Sequence, residues 1–96
     1  MIIVAAKVTA KPGKREAFIK AAQPSIAATR KEDGCLFYTL YASTENETDL
    51  LYYEQWTSRE ALDKHLASAH MKQFGDVKTE QDLVVGDTDV QIHNVV

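Results

Sequence analysis

The sequence predicts a single α+β domain with its elements in the order β-α-β-β-α-β. Two aromatic-rich segments joined by a polar connection have the pattern of an antiparallel hairpin. Helical spacing of apolar residues precedes and follows that hairpin, and short strand-like segments open and close the chain. A chain of 96 residues is too short for two separate cores, so we assign residues 1–96 to one domain.

The first strand and the first helix are predicted from different periodicities. Ile2–Thr9 is short and β-branched, and it ends at a Lys-Pro-Gly turn over residues 11–13. Apolar residues then recur at helical spacing from Lys14 to about Lys31. Pro24 lies inside this pattern, and we expect it to kink the helix or to divide it near Gln23, because proline lacks an N–H and clashes with the preceding turn.

The central hairpin is predicted to have no polar face. Glu32–Gly34 closes the first helix, since glycine is suited to a left-handed cap. Cys35–Ala42 and Leu50–Trp56 then pair through the polar connection Ser43–Asp49, and the single cysteine, Cys35, is interpreted as a small buried hydrophobic residue. Helices can cover only one side of such a sheet. We therefore expect a homodimer in which a second sheet covers the other side.

The segment after the hairpin is predicted to be helical. Thr57–Glu60 fits a capping box with Thr57 as the N-cap. Leu62, His65 and Leu66 fall on one side of the following helix, which predicts its buried face. A further helical piece is expected over His70–Val77.

The end of the chain completes the architecture. Asp87–Val95 alternates polar residues with Val90 and Ile92 after a glycine turn, which predicts a closing strand. The resulting order predicts a ferredoxin-like sandwich with an antiparallel sheet.

Composition excludes several classes of function. The net charge is −3 and the basic residues are scattered, which disfavours a nucleic-acid partner. No apolar run approaches the roughly 20 residues that cross a bilayer, so no membrane partner is expected. A lone cysteine and a short first apolar run predict a cytoplasmic location. The sequence has no glycine-rich phosphate loop or dinucleotide fingerprint, which disfavours nucleotide chemistry.

The histidine spacing disfavours a metal site. His65 and His70 are five residues apart, so on one continuous helix they would diverge by about 140° and could not chelate one ion. A site would need a break in the helix and an additional ligand such as Glu54. We therefore predict no metal.

A set of residues along most of the chain carries a resemblance to one protein family. They are Glu54-Gln55-Trp56-Thr57-Ser58, Leu62, His65-Leu66 and His70-Met71-Lys72, supported by Lys11-Pro12-Gly13-Lys14 and Glu32-Asp33-Gly34-Cys35. This pattern, from about Met1 to Val85, resembles the antibiotic-biosynthesis monooxygenase superfamily, and bacterial quinol monooxygenases within it most closely. The resemblance implies a ferredoxin-like protomer, a dimeric α/β barrel whose sheets pack face to face, and oxygenation without flavin, haem or metal.

The resemblance also implies a site around a cavity between the sheet and the helices. It places His65 and His70 there as candidate catalytic residues. A neutral imidazole at His65 can remove a phenolic proton, although a core histidine bonded to a backbone carbonyl is the structural alternative. His70 either assists proton transfer or caps the second helical piece.

Three further residues are candidates for binding the substrate. Tyr38 and Trp56 offer stacking surface for a flat aromatic ligand, or they simply fill the sheet core. Glu54 shares a strand face with Trp56, where its carboxylate can orient a histidine or hold a substrate hydroxyl. The alternative for Glu54, which we favour, is an ion pair with a helix lysine or arginine.

The resulting functional hypothesis is a cofactor-independent monooxygenase. The substrates would be a small phenolic or quinol-type aromatic compound and O₂. Two alternatives remain open: an isomerase on the same fold, in which a histidine shuttles a proton without oxygen, and a non-catalytic quinone-binding stress protein. The identity of the substrate and the role of His93 are not predicted.

Overall fold

The computed structural model describes residues 1–96 and contains four strands and three helices. In chain order these elements are β1 (Ile2–Thr9), α1 (Arg15–Thr29), β2 (Cys35–Ala42), β3 (Asp49–Trp56), α2 (Arg59–Leu66), α3 (Ala69–Glu80) and β4 (Asp89–Asn94). The predicted α+β, ferredoxin-like fold is confirmed, with the second helical region present as two separate helices. None of the three helices has the length and apolar character needed to cross a membrane.

The strands form one antiparallel sheet in the order β2-β3-β1-β4. The alternate residues of β1 that point toward the helices are buried, as the period of two requires. On this inner face Val4 lies between Glu54 and Ile92 of the neighbouring strands. Ala6 lies in the next row, between Tyr52 and Val90.

The hydrophobic core fills the space between the inner face and the helices. Phe18 of α1 is fully buried and packs edge-on against two rings, with centroid distances of 6.5 Å to Tyr52 and 5.4 Å to Phe74. Ala22 and Ile26 continue this face of α1 at helical spacing. The core therefore joins α1, α3 and the centre of the sheet.

The expected division of α1 at Pro24 is wrong. The helix continues from Arg15 to Thr29 with Pro24 inside it. Because proline has no N–H, the carbonyl of Lys20 loses its hydrogen bond within the helix. Lys20 and Pro24 are both exposed, so water can bind this carbonyl instead. The Gln23 side chain also donates a hydrogen bond of 2.9 Å to the carbonyl of Ile19 in the preceding turn.

The predicted start of α2 is also wrong by one residue. Ser58 has an extended backbone and is the N-cap, with its hydroxyl accepting the amide of Ala61 at 3.1 Å. Thr57 precedes the cap, and its amide donates to the carbonyl of Gly34 at 2.9 Å. Leu62 and His65 are buried as predicted, but Leu66 is 54 % exposed, because α2 ends at this residue and the chain turns away.

The outer face of the sheet is apolar over part of its area. Phe37, Tyr41 and Leu51 are 40 %, 49 % and 39 % exposed, and the Phe37 ring lies 5.8 Å from that of Tyr53. This agrees with the predicted absence of a polar face on the hairpin. Cys35 departs from the prediction, because it is only partly buried at the start of edge strand β2.

Candidate functional site

A cavity of about 150 Å³ lies between the inner face of the sheet and helices α2 and α3. Most of the residues that line it are apolar: Val4, Ala6, Val8, Leu62, Leu66, Met71, Phe74, Val90 and Ile92. The polar and aromatic remainder consists of Tyr38, Tyr52, Glu54, His65, Lys78 and Thr88. An apolar cavity with a few polar groups has the character of a small-molecule site.

His65 lies in the wall of this cavity with one ring nitrogen already fixed. Its Nδ1 is 2.9 Å from Oε2 of Glu32, and its ring packs 4.7 Å from the ring of Trp56. Burial lowers the pKa of His65 below its ordinary value, while the carboxylate of Glu32 raises it and His70 lowers it. Because Nδ1–H donates to Glu32, Nε2 is the ring nitrogen that can accept a proton. The alternative of a histidine bonded to a backbone carbonyl is not what the structure shows.

Glu32 joins the two candidate histidines. Its Oε1 lies 2.9 Å from Nε2 of His70, while its Oε2 contacts His65. The pair can converge because α2 ends at Leu66 and α3 begins at Ala69, which is the break in the helix that a shared site needs. His70 does not line the cavity, and its ring also lies 3.2 Å from the hydroxyl of Ser68.

Glu32, His65 and His70 are also the residues that could hold a metal ion. Their ligand atoms lie within 4.8 Å of one another, and two imidazoles with a carboxylate are a donor set that suits zinc. The 2.9 Å contacts equally suit hydrogen bonds in which each ring N–H donates to one carboxylate oxygen. The prediction of no metal therefore stays a prediction.

Gly34 allows the turn that carries Glu32 to approach α2. Its backbone is left-handed, with φ of +86°, and a Cβ there would lie 2.6 Å from Cβ of Ala61 and 2.7 Å from Oγ1 of Thr57. Only glycine fits this combination without strain. Glu32 was not among the sequence candidates, although the Glu-Asp-Gly-Cys segment was quoted for the resemblance.

Glu54 is a buried carboxyl without a basic partner. It is 5 % exposed and accepts a hydrogen bond of 2.9 Å from Nε1 of Trp56. The favoured interpretation as an ion pair with a lysine or arginine is therefore wrong. Burial raises the pKa of Glu54 to about 7, against a lowering effect of the Trp56 hydrogen bond and a smaller raising effect of Glu32. Glu54 can thus hold or release a proton near neutral pH.

The aromatic candidates occupy different places. Tyr38 lies in the cavity wall, 5.4 Å from the ring of His65 and 5.4 Å from that of Tyr52. Trp56 is fully buried behind His65 and Glu54 and does not line the cavity. Tyr52 was missed as a candidate, although its position two residues before Glu54 on one strand face could have identified it. Burial raises the pKa of both tyrosine hydroxyls above the ordinary range, so they stay protonated.

Comparison with known proteins assigns the chain to a family. The family model described as antibiotic biosynthesis monooxygenase matches residues 1–77. The protein sll1783 of Synechocystis is 32 % identical over 94 residues, which cover 98 % of this chain and 63 % of that protein. YcnE of Bacillus subtilis, named "Putative monooxygenase YcnE", is 32 % identical over 77 % of this chain and 78 % of its own length.

A solved structure extends this comparison to the fold. Rv0793 of Mycobacterium tuberculosis, named "Putative monooxygenase Rv0793", superposes with a TM-score of 0.86 at 29 % identity. The superposition covers 99 % of this chain and 94 % of that one. The chain therefore belongs to the antibiotic biosynthesis monooxygenase family, whose named members support a monooxygenase-like function.

Proposed function

We propose that the protein is a cofactor-independent monooxygenase that oxidises a small phenolic or quinol-type aromatic compound with O₂. The observation that carries this proposal is the position of His65 in the wall of an apolar cavity. Glu32 accepts a hydrogen bond from Nδ1 of His65, and burial lowers the pKa of His65. The imidazole is therefore neutral, and its Nε2 is available as a base. The family membership supports the reaction class.

In the proposed reaction the substrate supplies all the electrons. His65 removes the proton of a ring hydroxyl, and the electron-rich anion transfers an electron to O₂ in the same cavity. After the two radicals combine, one oxygen atom enters the ring and the other leaves as water. A hydroquinone and O₂ thus give a hydroxyquinone and water, and no external reductant is consumed.

Other groups around the cavity would stabilise the oxygen-derived anion. The hydroxyls of Tyr38 and Tyr52 stay protonated, so they can donate hydrogen bonds to a negative oxygen. Glu54 can return a proton to the leaving water, because its pKa is near 7. Trp56 acts as a positioning residue, since it packs against the His65 ring and donates to Glu54. His70 positions the shared carboxylate of Glu32.

Oxygen uptake tests the reaction. Protein purified without oxygen is mixed with a panel of hydroquinones, O₂ is admitted, and uptake and products are followed. Uptake above the buffer rate with one hydroxyquinone formed per O₂ supports the proposal, whereas no uptake for any member contradicts it. Product formed without O₂ identifies an isomerase, and saturable binding without product identifies a binding protein.

A paired substitution tests the base. We expect His65→Ala to lower turnover by about 10²–10⁴-fold, which is the usual contribution of a general base. His93→Ala is the matched control, because His93 pairs with Ile3 on the other face of the sheet and does not line the cavity. Unchanged turnover in His65→Ala would rule out an essential base at this position.

We further propose that the active form is a homodimer in the cytoplasm without a bound cofactor. The partner would cover the exposed apolar residues Phe37, Tyr41 and Leu51 on the outer face of the sheet. Sedimentation should show a dimer, and Leu51→Asp should weaken it, whereas Val85→Asp, at an exposed site outside the strands, should not. A well-folded monomer at high concentration would contradict the dimer. Stoichiometric zinc or flavin in the purified protein would contradict the absence of a cofactor.

A further inference from the structure

The cavity is elongated, and its two ends have different chemistry. Along β1 its floor runs from Val4 to Val8, which is about 13 Å at the usual rise per strand residue. Glu54 pairs with Val4 at one end, where His65 also lies. The other end contains Lys78, because α3 leads there from the His65 end.

Backbone hydrogen bonds fix the direction of α3 along the cavity. Its first turn contains His70, which shares Glu32 with His65. Beyond its last turn the amide of Leu83 bonds to the carbonyl of Lys78, and the carbonyl of Leu83 accepts the amide of Lys11, just past the end of β1. Eight residues of helix separate His70 from Lys78, which is about 12 Å along the axis. The Lys78 side chain reaches back along α3, because its Nζ lies 5.0 Å from the centre of the Phe74 ring, so the ammonium group lies beside Phe74, between the far end of α3 and the His65 end.

Lys78 is a cation without an acidic partner. None of the eight salt bridges of the chain includes it, whereas Lys72 on the same helix pairs with Asp76 at 3.3 Å. Its Nζ lies 5.0 Å from the centre of the Phe74 ring, and it lines an apolar wall, so burial lowers its pKa. The negative end of the α3 dipole stabilises a lysine in the last turn, but it would do so equally if the Lys78 side chain pointed into solvent. The Phe74 ring attracts the ammonium group to this place, but it leaves the positive charge without an anionic partner in the cavity.

We propose that the substrate is an aromatic compound that carries a carboxylate or similar anionic group remote from its reacting hydroxyl, and that Lys78 binds this anion. The hydroxyl of Thr88, which lines the same end of the cavity, can donate to the same group. The apolar walls between the ends bind the flat ring system. This inference rests on the proposed function for the orientation of the hydroxyl, but the recognition of the anion can be measured without turnover.

Binding of two matched probes tests the inference. In 6-hydroxy-2-naphthoate a hydroxyl and a carboxylate stand at opposite ends of a bicyclic ring, and its primary amide has the same shape without the charge. By calorimetry we expect the carboxylate to bind about tenfold more tightly than the amide, as a partly desolvated charge-assisted hydrogen bond provides. Lys78→Met should remove this preference while leaving the affinity for the amide within about twofold.

Two further variants keep the test decisive. Lys78→Arg should retain the preference for the carboxylate, and Lys72→Met, which removes an exposed lysine from the same helix, should not change it. Equal binding of the two probes to the unaltered protein would overturn the inference. So would an equal loss of both probes in a folded Lys78→Met protein, since Lys78 would then act only by packing.

The outcomes separate this inference from the proposed function. Preference for the carboxylate with no oxygen uptake by any hydroquinone supports the anion site and refutes the oxygenase. Oxygen uptake with equal binding of both probes supports the oxygenase and refutes the anion site. If neither probe binds the unaltered protein, the anion site is refuted.

Discussion

Replacing Gly34 by alanine measures how closely the turn before β2 must approach α2. A non-glycine residue in the left-handed conformation costs about 1–2 kcal/mol. The new Cβ would also lie 2.6 Å from Cβ of Ala61 and 2.7 Å from Oγ1 of Thr57, and Ala61 cannot move without its helix. Overpacking of this kind costs about 1–3 kcal/mol, so we expect Gly34→Ala to lose about 2–5 kcal/mol of stability.

Gly13 provides the matched control for this substitution. Its φ is +78°, but nothing lies within 4 Å of the position its Cβ would take. We expect Gly13→Ala to lose only the conformational part, about 1–2 kcal/mol. Urea unfolding followed by circular dichroism, at one protein concentration, gives both free energies of unfolding. Equal losses in the two variants would refute the close approach and its role in positioning Glu32.

Three further substitutions test the site and its supports. Burial raises the pKa of Glu54 to about 7, so the folded state binds a proton at Glu54 more tightly than the unfolded state does. The stability that this proton contributes is present at low pH and is lost as the pH rises through 7. In Glu54→Gln the difference in stability between pH 5 and pH 8 should therefore change by about 2–3 kcal/mol. Ser58→Ala should lower the free energy of unfolding by about 1 kcal/mol through loss of the N-cap. Glu32→Gln should lower turnover and move the acidic limb of its pH profile to lower pH, because the carboxylate raises the pKa of His65.

A different result would contradict each of these predictions. In Glu54→Gln the amide oxygen can still accept from Trp56, so an unchanged pH dependence would mean that Glu54 does not take up a proton on folding. Thr57→Ala should lose less of the capping contribution than Ser58→Ala, since Ser58 is the N-cap. If the acidic limb for Glu32→Gln moved to higher pH, His65 could not be the titrating base.

Local periodicity predicted most of the fold. The hairpin, α1 and the first and last strands of the chain followed from residue preference, alternation and helical spacing, which short segments encode by themselves. The further helical piece over His70–Val77 was predicted, but its boundary with α2 was not, because no proline or glycine occupies residues 67 and 68. Ser68 was the available signal, since serine is a preferred N-cap and α3 begins at the next residue.

The parts of the site that were missed depend on contacts distant in sequence. Glu32 lies 33 residues from His65, and only the packing of the turn against α2 brings them together. The interpretation of Glu54 as an ion pair failed for a related reason. Its strand face was correctly predicted, but the partner on that face is the indole of Trp56, and Lys78 lines the same cavity without forming a salt bridge to Glu54.

The edge position of β4 determines how firmly the cavity is closed. All six residues of β4 are exposed, and the strand is held by β1 on one side only, yet Val90 and Ile92 form part of the cavity wall. Separating this wall would break one ladder of hydrogen bonds and would expose the buried side chains of Val4 and Ala6, which lie beside Ile92 and Val90. This wall of the cavity is therefore held by hydrogen bonds to β1 alone, whereas β1 and β3 are each held by a neighbouring strand on both sides.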